Sequence, residues 1–172
     1  MGTTTVNISA AQVKDLREKT GAPMMDCKQA LTEAKGDMEQ AVVILRKKGV
    51  SVAAKKAARV TSEGSVASYI HAGGKIGVLV EVNCESDFVA RTDDFKHLVT
   101  AVALQVAGSN PKYLSKEDMP KGSDEDPKLV CLLEQSYLKD ESMTIGELVR
   151  DTIAKTGENM RIKRFARFEL GR

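Results

Sequence analysis

Tryptophan is absent from this 172-residue chain, and phenylalanine and tyrosine together make up only 4% of it. With so few rings, an aromatic residue at a position whose local pattern predicts exposure carries more information than usual. The three cysteines, Cys27, Cys84 and Cys131, are odd in number and far apart. That argues against a disulfide framework and predicts reduced thiols in a reducing compartment. Neither sign of charge dominates, since 26 basic residues stand against 24 acidic ones for a net +2. A protein built around nucleic acid usually shows a prevailing basic surface instead. No apolar run approaches the ~20 residues of a membrane helix. The opening MGTTTVNIS lacks the basic and apolar regions of a secretory signal, and Val6 stands where a myristoylation pattern requires serine or threonine. These absences together predict a soluble intracellular protein.

What is present is ordinary globular chemistry: 42% hydrophobic and 29% charged residues, enough for one domain or a small module joined to a medium one. Residues 9–49 read as three short helices. Ser9 and Gln12 have capping-box spacing, with Val13 and Leu16 following on one face. Thr20-Gly21-Ala22-Pro23 stops this helix, because the residue before a proline avoids helical geometry. Met24, Cys27, Leu31 and Ala34 make the stripe of a second helix. Met38, Ala41, Val42 and Leu45 make that of a third, with Gly49 expected to end it. Three amphipathic helices in this space resemble a ubiquitin-associated bundle. The basic, alanine-rich stretch that follows reads as a connector, a short helix or an extended segment. The expected division is a bundle over 1–50, a linker over 51–63 and an α+β core over 64–172.

From Gly64 the period changes to two. Val66, Ser68 and Ile70 alternate with Ala67, Tyr69 and His71; Gly73-Gly74 supplies a hairpin turn, and IGVLVEVN reads as a second strand buried on at least one face. Thr92 caps a helix with Phe95, Leu98, Val99, Val102 and Val106 inward. A further helix is expected around Leu129–Leu138, and another from Thr144 with Ile145, Leu148, Val149 and Ile153 inward. In the closing stretch Met160, Ile162, Ala166, Phe168 and Leu170 alternate onto one face, with Arg164 as the exception. The fold class expected is α+β: a three-helix bundle, then a three-stranded antiparallel sheet packed with helices. So small a sheet rarely leaves its edges bare, which predicts a partner or a second copy against it.

No catalytic constellation stands out. Cys27, Cys84, Cys131, His71 and His97 lack metal-ligand spacing, the His71/Cys84 pair lacks an orienting third group, and HAGGK lacks phosphate-loop spacing. No metal or cofactor is expected, and a hydrolase is the weakest reading. Two features resist a purely structural account. Of Met24 and Met25, one belongs to the helical stripe while its neighbour, rotated by about 100°, faces outward as an adaptable contact; both in the core is the competing reading. If Ser86 caps a helix, Asp87 and Phe88 fall in its first turn, where the dipole favours the aspartate and nothing internal requires the ring.

LREKTGAPMMDCKQALTEAKGDMEQAVVILRKKG, SYIHAGGKIGVLVEVNCESDFVAR and GENMRIKRFARFELG, in this order, resemble elongation factor Ts across nearly the whole chain. The resemblance implies a guanine-nucleotide exchange factor, not an enzyme, acting on elongation factor Tu in the bacterial cytoplasm or an organelle. It implies that Asp87, Phe88 and Val89 carry exchange by intruding near the GTPase's magnesium site. It also implies that Leu16, Met24 and Met25 grip the same domain, whereas spacing alone puts Leu16 and Met24 in the core. The chain is short for the family, with 110–140 compressed and a single core module, and short members pair as homodimers. Two rivals remain at this point: a non-catalytic adaptor, and a ribosome- or RNA-associated protein using Lys47, Lys48, Lys55, Lys56 and Arg59.

Overall fold

The computed structural model describes residues 8–171, so the reading of residues 1–7 lies outside it. The capping box at Ser9 opens α1 (Ala10–Thr20): Ser9 Oγ accepts from the Gln12 amide at 3.2 Å, and the Gln12 side chain accepts from the Ser9 amide at 3.0 Å. Gly21, at φ +66°, ends it. α2 (Met24–Glu33) starts after Pro23, and α3 (Met38–Lys56) is capped by Asp37, which accepts from the Gln40 amide at 3.0 Å. Leu16, Cys27, Ala30, Leu31, Ala34 and Ala41 close a small core among the three.

Gly49 does not end the third helix, which runs on to Lys56 through the first part of the expected connector. An interior glycine costs a helix only about 1 kcal/mol. Continuation carries Val52 and Ala53 into the core of the second module, which offsets that cost.

The second module is a sheet of β1 (Glu63–Ile70), β2 (Ile76–Cys84) and β5 (Met160–Glu169), all antiparallel in the order β1-β2-β5. Gly73 and Gly74, at φ +87° and +68°, turn the first hairpin. Val78, Val80, Val82 and Cys84 project from β2 onto α5 (Asp93–Ser109) and α7 (Ile145–Thr156), whose expected apolar faces are buried against them. Thr144 and Glu147 form the capping box of α7. Among the described residues no helix is long and apolar enough to cross a membrane.

Two further expectations fail. β5 does not keep one alternation: Glu81 pairs with Arg164 but Val82 pairs with Ile162, so Lys163 is an extra residue in the ladder. A bulge of this kind exchanges the faces of everything beyond it. Met160 and Ile162 point inward, then Phe165 and Arg167 do, while Ala166, Phe168 and Leu170 turn to the outer face. The apparent exception at Arg164 marks the bulge. The other failure is the helix expected over 129–138. Asp126 and Pro127 start only a single turn, α6 (Pro127–Val130), and the chain then forms a short hairpin of β3 (Ser136–Tyr137) and β4 (Asp140–Thr144). The buried Gln105 of α5 holds this hairpin, donating to the Ser136 carbonyl at 3.1 Å and accepting from the Leu138 amide at 3.0 Å. These tertiary bonds outweigh the local helical pattern.

Candidate functional site

The chain leaves β2 at Cys84 and enters one helical turn, α4 (Asp87–Ala90), before α5 begins. Ser86 caps the turn, its Oγ accepting from the Val89 amide at 3.3 Å. Thr92 closes it from the other end by donating its hydroxyl to the Val89 carbonyl at 2.7 Å, while the same Oγ1 accepts from the Phe95 amide to cap α5. Between these caps Val89 points into the core and is 5% exposed. Phe88, one residue earlier, is rotated outward and is 76% exposed. Asp87 is also exposed and pairs with Arg91 at 2.6 Å. The expected cap at Ser86, with Asp87 and Phe88 facing outward in the first turn, is present.

The six expected site residues fall into two groups. Asp87, Phe88, Met24 (56% exposed) and Met25 (71% exposed) are open to contact. Leu16, fully buried, and Val89, 5% exposed, are not open in the free chain, as helical spacing had placed Leu16 in the core. Leu16 belongs to the bundle core by helical spacing, and Val89 is the apolar anchor of α4. Met24 corrects the spacing argument. Helical side chains lean toward the N-terminus, so the first residue of α2 leans past the helix end instead of joining Cys27 and Leu31. The methionines lie on α2, which packs on α1 and α3, whereas α4 packs on β1, β2 and α5.

The thiols sit apart, all three buried, and burial pushes each of Cys27, Cys84 and Cys131 up from its usual pKa. High-pKa buried thiols are inert. Much of the basic stretch is engaged internally: Lys48 pairs with Asp26 at 2.8 Å, Arg59 with Glu85 at 3.4 Å, and Lys56 donates to the Gly157 carbonyl. That weakens the RNA-binding alternative, which needs those cations free for phosphates.

The sequence reading missed a polar turn beneath the site. Glu158 follows Gly157, the left-handed end of α7, and its two carboxylate oxygens accept from the Ser86 amide (3.0 Å) and hydroxyl (2.6 Å). Glu85 answers in the opposite direction, accepting from the Asn159 amide at 2.6 Å. Asn159, nearly fully buried, donates its side-chain amide to the Arg59 carbonyl at 2.9 Å. The signal available was a Glu-Asn pair between a helix-stopping glycine and a strand, polar residues in a place that had to be buried.

The site is thus an outward aromatic ring on a turn capped at both ends and anchored from below. A family model described as elongation factor TS matches residues 3–128. The chain is 57% identical to elongation factor Ts of Koribacter versatilis (strain Ellin345), the alignment covering 96% of this chain and 90% of that one. It is 52% identical to that of Desulfosudis oleivorans (95% and 98% covered) and 50% to that of Thermoanaerobacter sp. strain X514 (95% and 95%). This chain belongs to the elongation factor Ts family, and its role is that of a nucleotide exchange factor in translation elongation. The Koribacter alignment spans 196 positions, more than the 172 residues here, so that relative carries interior residues this chain lacks.

Proposed function

We propose that this chain releases GDP from elongation factor Tu by inserting Phe88 beside the nucleotide site, with Asp87 next to it at the docking surface. The observation that carries this reading is the exposed ring on a turn whose backbone is held at both ends. A rigid mount matters because a floppy ring loses in ordering entropy what it gains in contact. Met24 and Met25 grip the same GTPase from the bundle, their flexible thioethers adapting to its surface. Leu16 and Val89 support these contacts from beneath.

GDP and the factor then bind one GTPase in competing geometries, and each weakens the other by the same factor. A coupling of about 4 kcal/mol lowers GDP affinity roughly a thousandfold. Such a factor speeds equilibration without selecting the nucleotide, and it acts where ribosomes are, in the bacterial cytoplasm or an organelle. The test is stopped-flow release of a fluorescent GDP from the GTPase. Phe88→Ala is expected to slow release about 10- to 100-fold, equivalent to the roughly 1.5–3 kcal/mol gained by burying one such side chain. Affinity for the nucleotide-free GTPase should change far less. Release at the parental rate would remove Phe88 from the mechanism.

The outer face of the sheet supports a second element of this reading, a homodimer. Val66, Ile70, Leu79, Phe168 and Leu170 are all exposed there, an apolar patch of the kind that marks an interface.

A further inference from the structure

We propose that Glu158 is a positioning residue for exchange: its carboxylate, bound to both the amide and the hydroxyl of Ser86, sets the direction in which α4 presents Phe88. The inference rests on the reading of Phe88 as the wedge. Ser86 Oγ has two tasks, to accept from the Val89 amide and to satisfy its own proton. By taking that proton at 2.6 Å, Glu158 leaves the oxygen's lone pairs free for Val89, and by taking the Ser86 amide at 3.0 Å it fixes the residue's backbone as well. Charge-assisted bonds of this type are about twice as strong as neutral ones.

A four-residue turn has almost no helical hydrogen bonding of its own, so nearly all its rigidity is imported. Thr92 fixes its end, Val89 its underside, and Glu158 its entry. Glu158 is itself held in a reciprocal arrangement. The neighbouring Asn159 amide binds Glu85, the residue before Ser86, and the Asn159 side chain binds the Arg59 carbonyl just beyond α3. The two segments thus exchange carboxylates, Glu158 to Ser86 and Glu85 to Asn159, and neither can shift alone. Through Asn159 the mount of Phe88 is connected to the helix that begins in the N-terminal bundle, which places both contact regions on one continuous framework.

The test compares Glu158→Gln with Ser86→Ala, Ser86→Thr and Phe88→Ala in two measurements, GDP release from the GTPase and amide hydrogen exchange at Val89 in the free factor. Glutamine keeps an acceptor for the Ser86 amide but presents a donor to the hydroxyl, so a charge-assisted O–H···O bond is replaced by a neutral N–H···O bond that competes with the Val89 amide for Ser86 Oγ. In E158Q the saturating release rate should fall about tenfold, the scale of one charge-assisted hydrogen bond. The half-saturating concentration should stay put, and the Val89 amide should exchange faster. Ser86→Ala should match it, Ser86→Thr should keep parental behaviour, and the double variant S86A/E158Q should be no slower than S86A. E158Q with a parental rate overturns the proposal. So does a reduced rate with Val89 exchange unchanged, because the effect then bypasses the turn. Should Phe88→Ala leave GDP release intact, the wedge reading fails separately, and Val89 exchange alone decides the clamp: faster supports it, unchanged overturns it. Val89 exchange is read relative to core amides of α5, which speed up with it only if E158Q lowers global stability.

Discussion

Phe88 and Phe95 lie seven residues apart on either side of a cap, and they have opposite fates: Phe95 is sealed in the core and Phe88 is held out of it. The difference is made by neighbours. Val89 and Phe95 fill the apolar space under β2, and the Ser86 cap fixes the rotation that turns residue 88 away. Met25 shows the same logic on a separate element and allows grip and wedge to be measured apart. Met25→Ala removes surface area without disturbing a core, so stability should hold within about 0.5 kcal/mol. Its half-saturating concentration for GDP release should rise about fivefold, corresponding to roughly 1 kcal/mol of lost contact, with the saturating rate unchanged. Titrating the factor against GDP-loaded GTPase checks both, and an unchanged midpoint would detach Met25 from the interface. Leu16 cannot serve for this purpose, since a Leu→Ala cavity costs roughly 2–5 kcal/mol and any lost activity would report unfolding.

At the scale of elements, the sequence is legible wherever one local rule acts alone. The Ser9, Ser86, Thr92 and Thr144 caps, the Gly73-Gly74 turn and the inward stripes of α5 and α7 follow from periodicity and capping chemistry, and all are present. It misleads where tertiary contact overrules the local rule. The β3–β4 hairpin exists because Gln105 reaches it, the outer faces of Phe168 and Leu170 because of the bulge at Lys163, and the Glu158 clamp joins residues 72 apart. Gly49 is the clearest case. It reads as a stop, yet it lies inside α3 where that helix meets α7. A Cβ there would stand 3.6 Å from Asp151 Oδ1 and 3.7 Å from Ala154 Cβ, ordinary contact distances. Nothing in its environment demands glycine, so the helix bears only the propensity cost. Gly49→Ala should therefore stabilise the protein by about 0.5–1 kcal/mol, visible as a higher denaturant midpoint with unchanged slope. Destabilisation would mean that α3 and α7 approach more closely there than these distances indicate.

At the scale of the whole molecule, the unbalanced feature is the sheet itself. Helices α5 and α7 cover one face, and the only other sheet among the described residues, β3–β4, is tied to Gln105 on that same side. The other face offers Val66, Ile70, Leu79, Phe168 and Leu170 to solvent, with the Glu81–Arg164 pair (2.7 Å) on the same surface. A sheet bearing helices on one side alone can bury its bare side against another sheet, and in the homodimer proposed above a second copy of this chain supplies it. A two-fold axis through the patch sets it against its own copy, with each off-axis side chain meeting a different residue of the partner, and leaves no open end to polymerise. Leu79, on the central strand, sits where such an axis concentrates burial. Static light scattering at micromolar concentration should therefore give twice the 18.7 kDa chain mass. Leu79→Glu should give the single mass with an unaltered circular dichroism spectrum, since the residue already faces out of its own fold. Two carboxylates facing each other across a dry interface cost more than the contact returns, so the variant dissociates instead of merely weakening. A parental protein of single-chain mass at that concentration would mean that the bare face serves some other occupant.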